Sequence, residues 1–274
     1  MTTLTPVSVE TGTDELLCHI DRRVAVITLN RPAARNALSD KLTPALRRMI
    51  AYCSTDNGIR AVLITGAGEA FCAGGDVKGM GDRSSTDELT FGQKVTRLIE
   101  RQRTLTGALF EMRKPTVAAL PGAAAGAGLS LALACDIRIA AEQAFVSTAY
   151  ARIGLSGDYG IAWLLTRTVG AARARELMLL SDRVDAQRCE TMGLFNRIVA
   201  ADRLAEEAFM IALKLANGPT KAYSAMKDNL DEVQNVGFAA SLDKEAERLV
   251  RSAQTEEHRE AVRAFVEKRP AVFR

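Results

Sequence analysis

Histidine is almost missing from this chain: two of 274 residues, His19 and His258. The commonest general base and metal ligand thus has almost no representatives, which excludes zinc hydrolases and histidine-centred triads. Cysteine excludes as much by spacing as by number. The five at 18, 53, 72, 135 and 189 form no C-x-x-C pair and sit mostly inside apolar segments, so they read as reduced core thiols. No apolar run approaches the roughly 18 residues that span a bilayer, and the start MTTLTPVSVETGTDE lacks the basic and apolar regions of an export signal. The expectation is a cytoplasmic protein that does not enter a membrane. A net charge of +3 is too mild for a nucleic-acid surface but compatible with a small anionic ligand. No G-x-x-x-x-G-K-[ST] or G-x-S-x-G occurs, and GAGEAF lacks the third glycine of a dinucleotide fingerprint.

What is present reads as an α/β chain. LLCHI and VAVITLN flank Asp21-Arg22-Arg23 and predict a hairpin. Leu42, Leu46, Met49, Ile50 and Cys53 recur at helical spacing, with Ser39 as candidate N-cap and Pro44 tolerable in the first turn. A strand over 60–66 follows. Val95, Leu98, Ile99, Gln102, Leu105 and Leu109 mark one face of a long helix over 86–112. TVAALPG predicts a buried strand, AAAGAGLSLALA a tightly packed helix of small residues, and CDIRIAAEQAFVS a return to strand. The order repeats a strand-strand-helix unit without a strict period. After about Ala201 only charged amphipathic helices remain, a composition suited to a lid or a subunit contact.

The stretch FCAGGDVKGM, Phe71 to Met80, ends a strand on two glycines and an aspartate. With no histidine or cysteine pair beside it, the backbone itself is the candidate reagent, and Gly75 permits close approach to a ligand. Around Ala127 the string GAG opens the small-residue helix. Taken alone, Gly126 and Gly128 read first as devices for close packing of that helix.

Four segments in series, NRPAARNALS, AFCAGGDVKGM, KPTVAALPGAAAGAGLSLALACDIRIA and AFVEKRPAVF, resemble the enoyl-CoA hydratase/isomerase, or crotonase, superfamily over nearly the whole chain. The resemblance implies a crotonase-like spiral of strand-strand-helix units over 1–200 and a helical C-terminal region, 201–274, that joins subunits into trimers or pairs of trimers. It implies a coenzyme A thioester as substrate, with no separate cofactor and no metal. It places an oxyanion hole at the N–H groups of Gly75 and Ala127, where loss of one donor typically costs about 100 to 1,000-fold in rate. Ala73 and Asp76 fall beside the adenosine end of the ligand, Arg35 and Ala37 near the pyrophosphate and pantetheine, and Lys227 near the ribose phosphate. Asp136 belongs by the same resemblance to the scaffold behind the hole.

The chain departs from the family pattern where hydratases keep two water-activating glutamates. Those positions are Ser130 and Tyr150, and a tyrosine with an ordinary pKa near 10 is a poor general base. Asp158, eight residues past Tyr150, lies where some isomerases and hydrolytic dehalogenases of the family keep a working aspartate. Its competing role is to cap the helix beginning at YGIAWLL. Isomerisation or thioester hydrolysis is therefore expected ahead of hydration, with a non-catalytic acyl-CoA carrier as the alternative. GMGDRSSTDELTFGQKV is expected to form a wall of the acyl pocket.

Overall fold

The computed structural model describes residues 5–76, 89–233 and 235–273; residues 79–88 of the expected pocket wall lie outside them. A seven-stranded sheet runs in the order β1-β2-β3-β4-β6-β8-β11. Its strands are β1 (Val7–Val9), β2 (Leu16–Asp21), β3 (Val24–Leu29), β4 (Ala61–Gly66), β6 (Thr116–Leu120), β8 (Ile137–Ala141) and β11 (Arg197–Val199). The first three pair antiparallel and the rest parallel. The smaller sheet, β10-β9-β7-β5, is built from β5 (Ala70–Cys72), β7 (Ala123–Ala125), β9 (Phe145–Ser147) and β10 (Val184–Asp185).

Each turn of the spiral places one strand in each sheet and then a helix. After β4 and β5 comes α2 (Phe91–Gln102), after β6 and β7 comes α3 (Ala127–Leu133), and after β8 and β9 comes α4 (Ile161–Leu180). The expected strand-strand-helix architecture is thus present. Helix α1 (Leu42–Thr55) packs Leu42, Leu46, Met49, Ile50 and Cys53 into the main core. Its cap is looser than expected: Lys41 holds the N-cap position, and Ser39 Oγ, two residues earlier, accepts from the N–H groups of Leu42 and Lys41.

Two predicted helices have different limits. Ala123–Ala125 opens the alanine-rich segment as strand β7, because parallel pairing to β5 and β9 satisfies its backbone on both sides. The long helix begins at Phe91 behind a Thr90–Gln93 capping box. It passes through a π turn at Arg103–Gly107 before a last turn at Ala108–Phe110. Leu105 and Leu109 are buried, whereas Val95, Leu98 and Ile99 stay exposed, so only the second half of the predicted stripe enters the core.

Short helix α5 (Ala186–Thr191) precedes β11, and four helices close the chain: α6 (Leu204–Ala216), α7 (Thr220–Glu232), α8 (Phe238–Ala253) and α9 (Glu256–Val266). Leu204, Ala208, Ala212 and Ala216 of α6 fall at intervals of four and bury against Val26, Leu63, Val117 and Ile139 on the back of the large sheet. All five cysteines are buried and free. No helix among the described residues is long and apolar enough to cross a membrane.

Candidate active site

The loop after β5 is laid against the segment before α1. Leu38 N–H donates to Gly74 O at 2.8 Å, Asp76 N–H to Leu38 O at 3.3 Å, and Ala73 N–H to Arg35 O at 2.9 Å. Asn36 holds this segment in place. Fully buried at left-handed φ 57°, it donates from Nδ2 to Ala70 O and Ala67 O and accepts from Arg31 N–H. Arg31 bonds Ala37 O and pairs with Asp76 at 3.0 Å. Arg35, Ala37, Ala73 and Asp76 are thereby brought into one patch.

Gly74 carries the loop past the start of α3. At φ +94°, a Cβ there would sit 2.8 Å from Ala125 O and 3.5 Å from Ala127 N, so only glycine fits. Gly128 serves the same approach from the other side: a Cβ on it would lie 2.2 Å from Cys72 O. Its close-packing role is real, and it seats α3 on the end of β5. Among the described residues, neither the Gly75 N–H nor the Ala127 N–H donates to a partner. Two backbone donors are thus open on adjoining strands of chain.

On the other side of Gly126 stands a side-chain pair. Tyr150 Oη donates to Asp158 Oδ1 at 2.7 Å, and a Cβ on Gly126 would fall 3.9 Å from Tyr150 Cζ. Ser130 Oγ reaches Asp158 O at 3.4 Å, so the three positions singled out from the sequence converge. Burial, and next the Asp158 charge, push the Tyr150 phenol above its ordinary value. The phenol stays protonated and donates. Burial also raises the Asp158 carboxyl above 3.8, with the hydrogen bond from Tyr150 working against it. Asp158 does not cap α4: the N-cap position is Gly160 and no side chain bonds there. That competing role is excluded.

A cleft of about 440 Å³ opens at the residues that follow Asp158, lined by Ile99, Gln102, Phe110, Tyr159, Trp163 and Leu164 among others. Phe110 and Trp163 meet edge to face with ring centroids 5.0 Å apart. Its volume and apolar lining suit the non-polar part of a small organic ligand.

A profile of the enoyl-CoA hydratase/isomerase family matches residues 19–274. The chain belongs to that family. It is 33% identical over 258 residues to 1,2-epoxyphenylacetyl-CoA isomerase of Escherichia coli, covering 94% of this chain and 97% of the relative. It is 32% identical to 2,3-dehydroadipyl-CoA hydratase of the same organism, covering 95% and 98%. The crystal structure of an enoyl-CoA hydratase from a Polaromonas species superposes with a TM-score of 0.87 at 32% identity, over 94% of this chain and 99% of that one. The relatives include both isomerases and hydratases, so membership establishes an acyl-CoA enzyme family and leaves the reaction to the site.

Lys227, expected near the ribose phosphate, is held by a carboxylate. Its ammonium pairs at 2.8 Å with Asp136, which also accepts from Thr116 N–H at 2.7 Å. Asp136 thus ties α7 to the start of β6, the scaffold role expected of it. Asn36 and Gln102 were not visible in the sequence as site residues. Asn36 lies between Arg35 and Ala37 in NRPAARNALS.

Proposed function

We propose that this chain is an acyl-CoA enzyme that shifts a double bond, with Gly75 and Ala127 as the oxyanion hole and Asp158 as the proton carrier. The observation that carries the reading is the 2.7 Å bond between Tyr150 Oη and Asp158 Oδ1, set beside two open backbone donors. In the reaction the Asp158 carboxylate removes a proton from the acyl chain next to the unsaturation. The C–H electrons move through the conjugated system onto the thioester oxygen, where the two N–H groups hold the enolate. Asp158, now a carboxylic acid, returns the proton to a different carbon. The enolate collapses, and neither water nor charge is gained. One carboxyl suffices for this sequence, whereas addition of water draws on the two glutamates that Ser130 and Tyr150 replace. Tyr150 stays a neutral donor that aims the carboxylate. Arg35, Ala37, Ala73 and Asp76 flank the coenzyme A portion, and the aromatic cleft takes the acyl tail. The enzyme works in the cytoplasm as a trimer or a pair of trimers.

The test incubates the protein with a panel of unsaturated and aromatic acyl-CoAs and resolves products by mass and chromatography. Isomerisation conserves mass, hydration adds one water, and hydrolysis releases free coenzyme A. On a substrate the wild type converts, Asp158→Asn is expected to keep binding within a few-fold and cut turnover by about 100 to 10,000-fold. Unchanged turnover removes Asp158 from the mechanism. Binding without any product on the whole panel establishes a carrier instead.

A further inference from the structure

The turn that presents Asp158 is held in a conformation side chains avoid. Gly157, Tyr159 and Gly160 stand at φ +110°, +51° and +77°, and Tyr159 has a Cβ that disfavours this region. Such a backbone persists only where its surroundings hold it. On the side of Ser130 and Tyr150 the contacts to the Asp158 backbone oxygen are long, 3.4 Å from Ser130 Oγ and 3.5 Å from Tyr150 Oη, and the short Tyr150 bond at 2.7 Å reaches the carboxylate rather than the backbone of the turn. From the opposite wall comes a short one: the Tyr159 N–H donates to Gln102 Oε1 at 2.6 Å.

Gln102 is the last residue of α2, and the π turn begins at the next position. Such turns interrupt the ordinary helical register and recur at functional sites. Here the buried residues Leu105 and Leu109 follow, while the Gln102 side chain reaches the Asp158 turn. The same side chain lines the cleft with Ile99, Phe110 and Trp163. It therefore touches both the space assigned to the acyl tail and the backbone next to the carboxylate.

We propose that Gln102 is a positioning residue: its amide oxygen fixes the Tyr159 N–H and so keeps the Asp158 carboxylate on Tyr150 Oη and in line with the acyl group. The inference rests on the reading of Asp158 as proton carrier, and its test separates the two. The titratable groups around this turn are Tyr150, acting on Asp158, and Arg101, Arg47 and Cys72, acting with Asp158 on Tyr159. A Gln102 substitution leaves all of them in place.

Gln102→Met removes the acceptor and keeps the length. In the full-length protein without substrate, a ¹³C NMR titration is expected to show the Asp158 midpoint move upward, since the carboxylate loses part of the phenol bond that lowers it. With a converted acyl-CoA, kcat is expected to fall about 10 to 100-fold, the scale of a small misplacement of a catalytic group, while KM stays within about two-fold. In an Asp158→Asn background the same change has no further effect on turnover. Gln102→Glu retains an oxygen acceptor. At a pH above both carboxyl titrations it is expected to keep the downfield Tyr159 amide resonance and most of kcat, which also guards against a methionine variant that fails to fold. A wild-type midpoint in Gln102→Met overturns the proposal, as does an equal loss in the Asp158→Asn background or a glutamate variant as impaired as the methionine one. Because the titration needs no turnover, it judges Gln102 even where Asp158→Asn proves active and the catalytic reading falls.

Discussion

Asp158 sits where two influences oppose each other. Burial favours its neutral form, the phenol of Tyr150 favours its charged form, and burial prevails, so its folded value lies above 3.8. Between the unfolded and the folded value the native protein binds the extra proton. By linkage, Asp158 contributes stability that is fully present below the unfolded value and is lost as pH rises through the folded one. Asparagine at 158 carries no such penalty. Urea unfolding from about pH 4 to about pH 8 is expected to show Asp158→Asn gaining on the wild type as pH climbs; a constant difference would mean an unshifted carboxyl. The importance of position 158 was legible in the sequence because it stands at a fixed interval from Tyr150, in a loop matched by motif. Asn36 and Gln102 were not. Their partners lie 31, 34 and 57 residues away along the chain, and no local spacing or propensity encodes a bond across that separation.

The apolar, β-branched strands of the large sheet and the periodic helix α1 were legible, because each carries its own burial pattern. β7 was not: three alanines favour a helix by propensity, and the pairing that makes them a strand comes from β5 and β9. The C-terminal helices were legible as helices, but their anchor to the sheet was not. Arg60, at the edge of β4, is buried with Glu257 of α9 at 3.4 Å and also donates to Gly218 O and Phe273 O. Glu257 in turn accepts from Thr220 Oγ1 and Lys221 N–H at the start of α7. Removing one partner leaves a buried charge unpaired, so Glu257→Ala is expected to cost about 3–5 kcal/mol in denaturant unfolding. Arg60→Ala costs a similar amount, and the double variant less than the sum. A loss below about 1 kcal/mol would show that the pair is solvated in solution and that α9 is held by other contacts.

The whole molecule ends on surfaces that a single copy leaves uncovered. Phe265 and Val266 of α9 are 84% and 73% exposed, Phe238 and Leu249 of α8 80% and 71%, and Leu230 of α7 adds to them. Scattered apolar residues are normal on a soluble protein, but these are concentrated on three consecutive helices. The helices also carry paired charges, such as Glu232 with Lys244 and Arg248, and subunit interfaces commonly combine apolar area with polar groups of this kind. Closed symmetry is the usual way to bury such a surface on every copy at once, and the expected particle is a trimer or hexamer of this chain. Light scattering at micromolar concentration should return three or six times 29.5 kDa. Phe265→Asp, which places a charge in the covered face, should shift the mass toward the monomer and lower the melting temperature, while leaving the far-ultraviolet circular dichroism of the separated chain unchanged. A monomeric mass for the wild type would assign these helices another partner, and a full-sized particle in Phe265→Asp would place the interface away from α9.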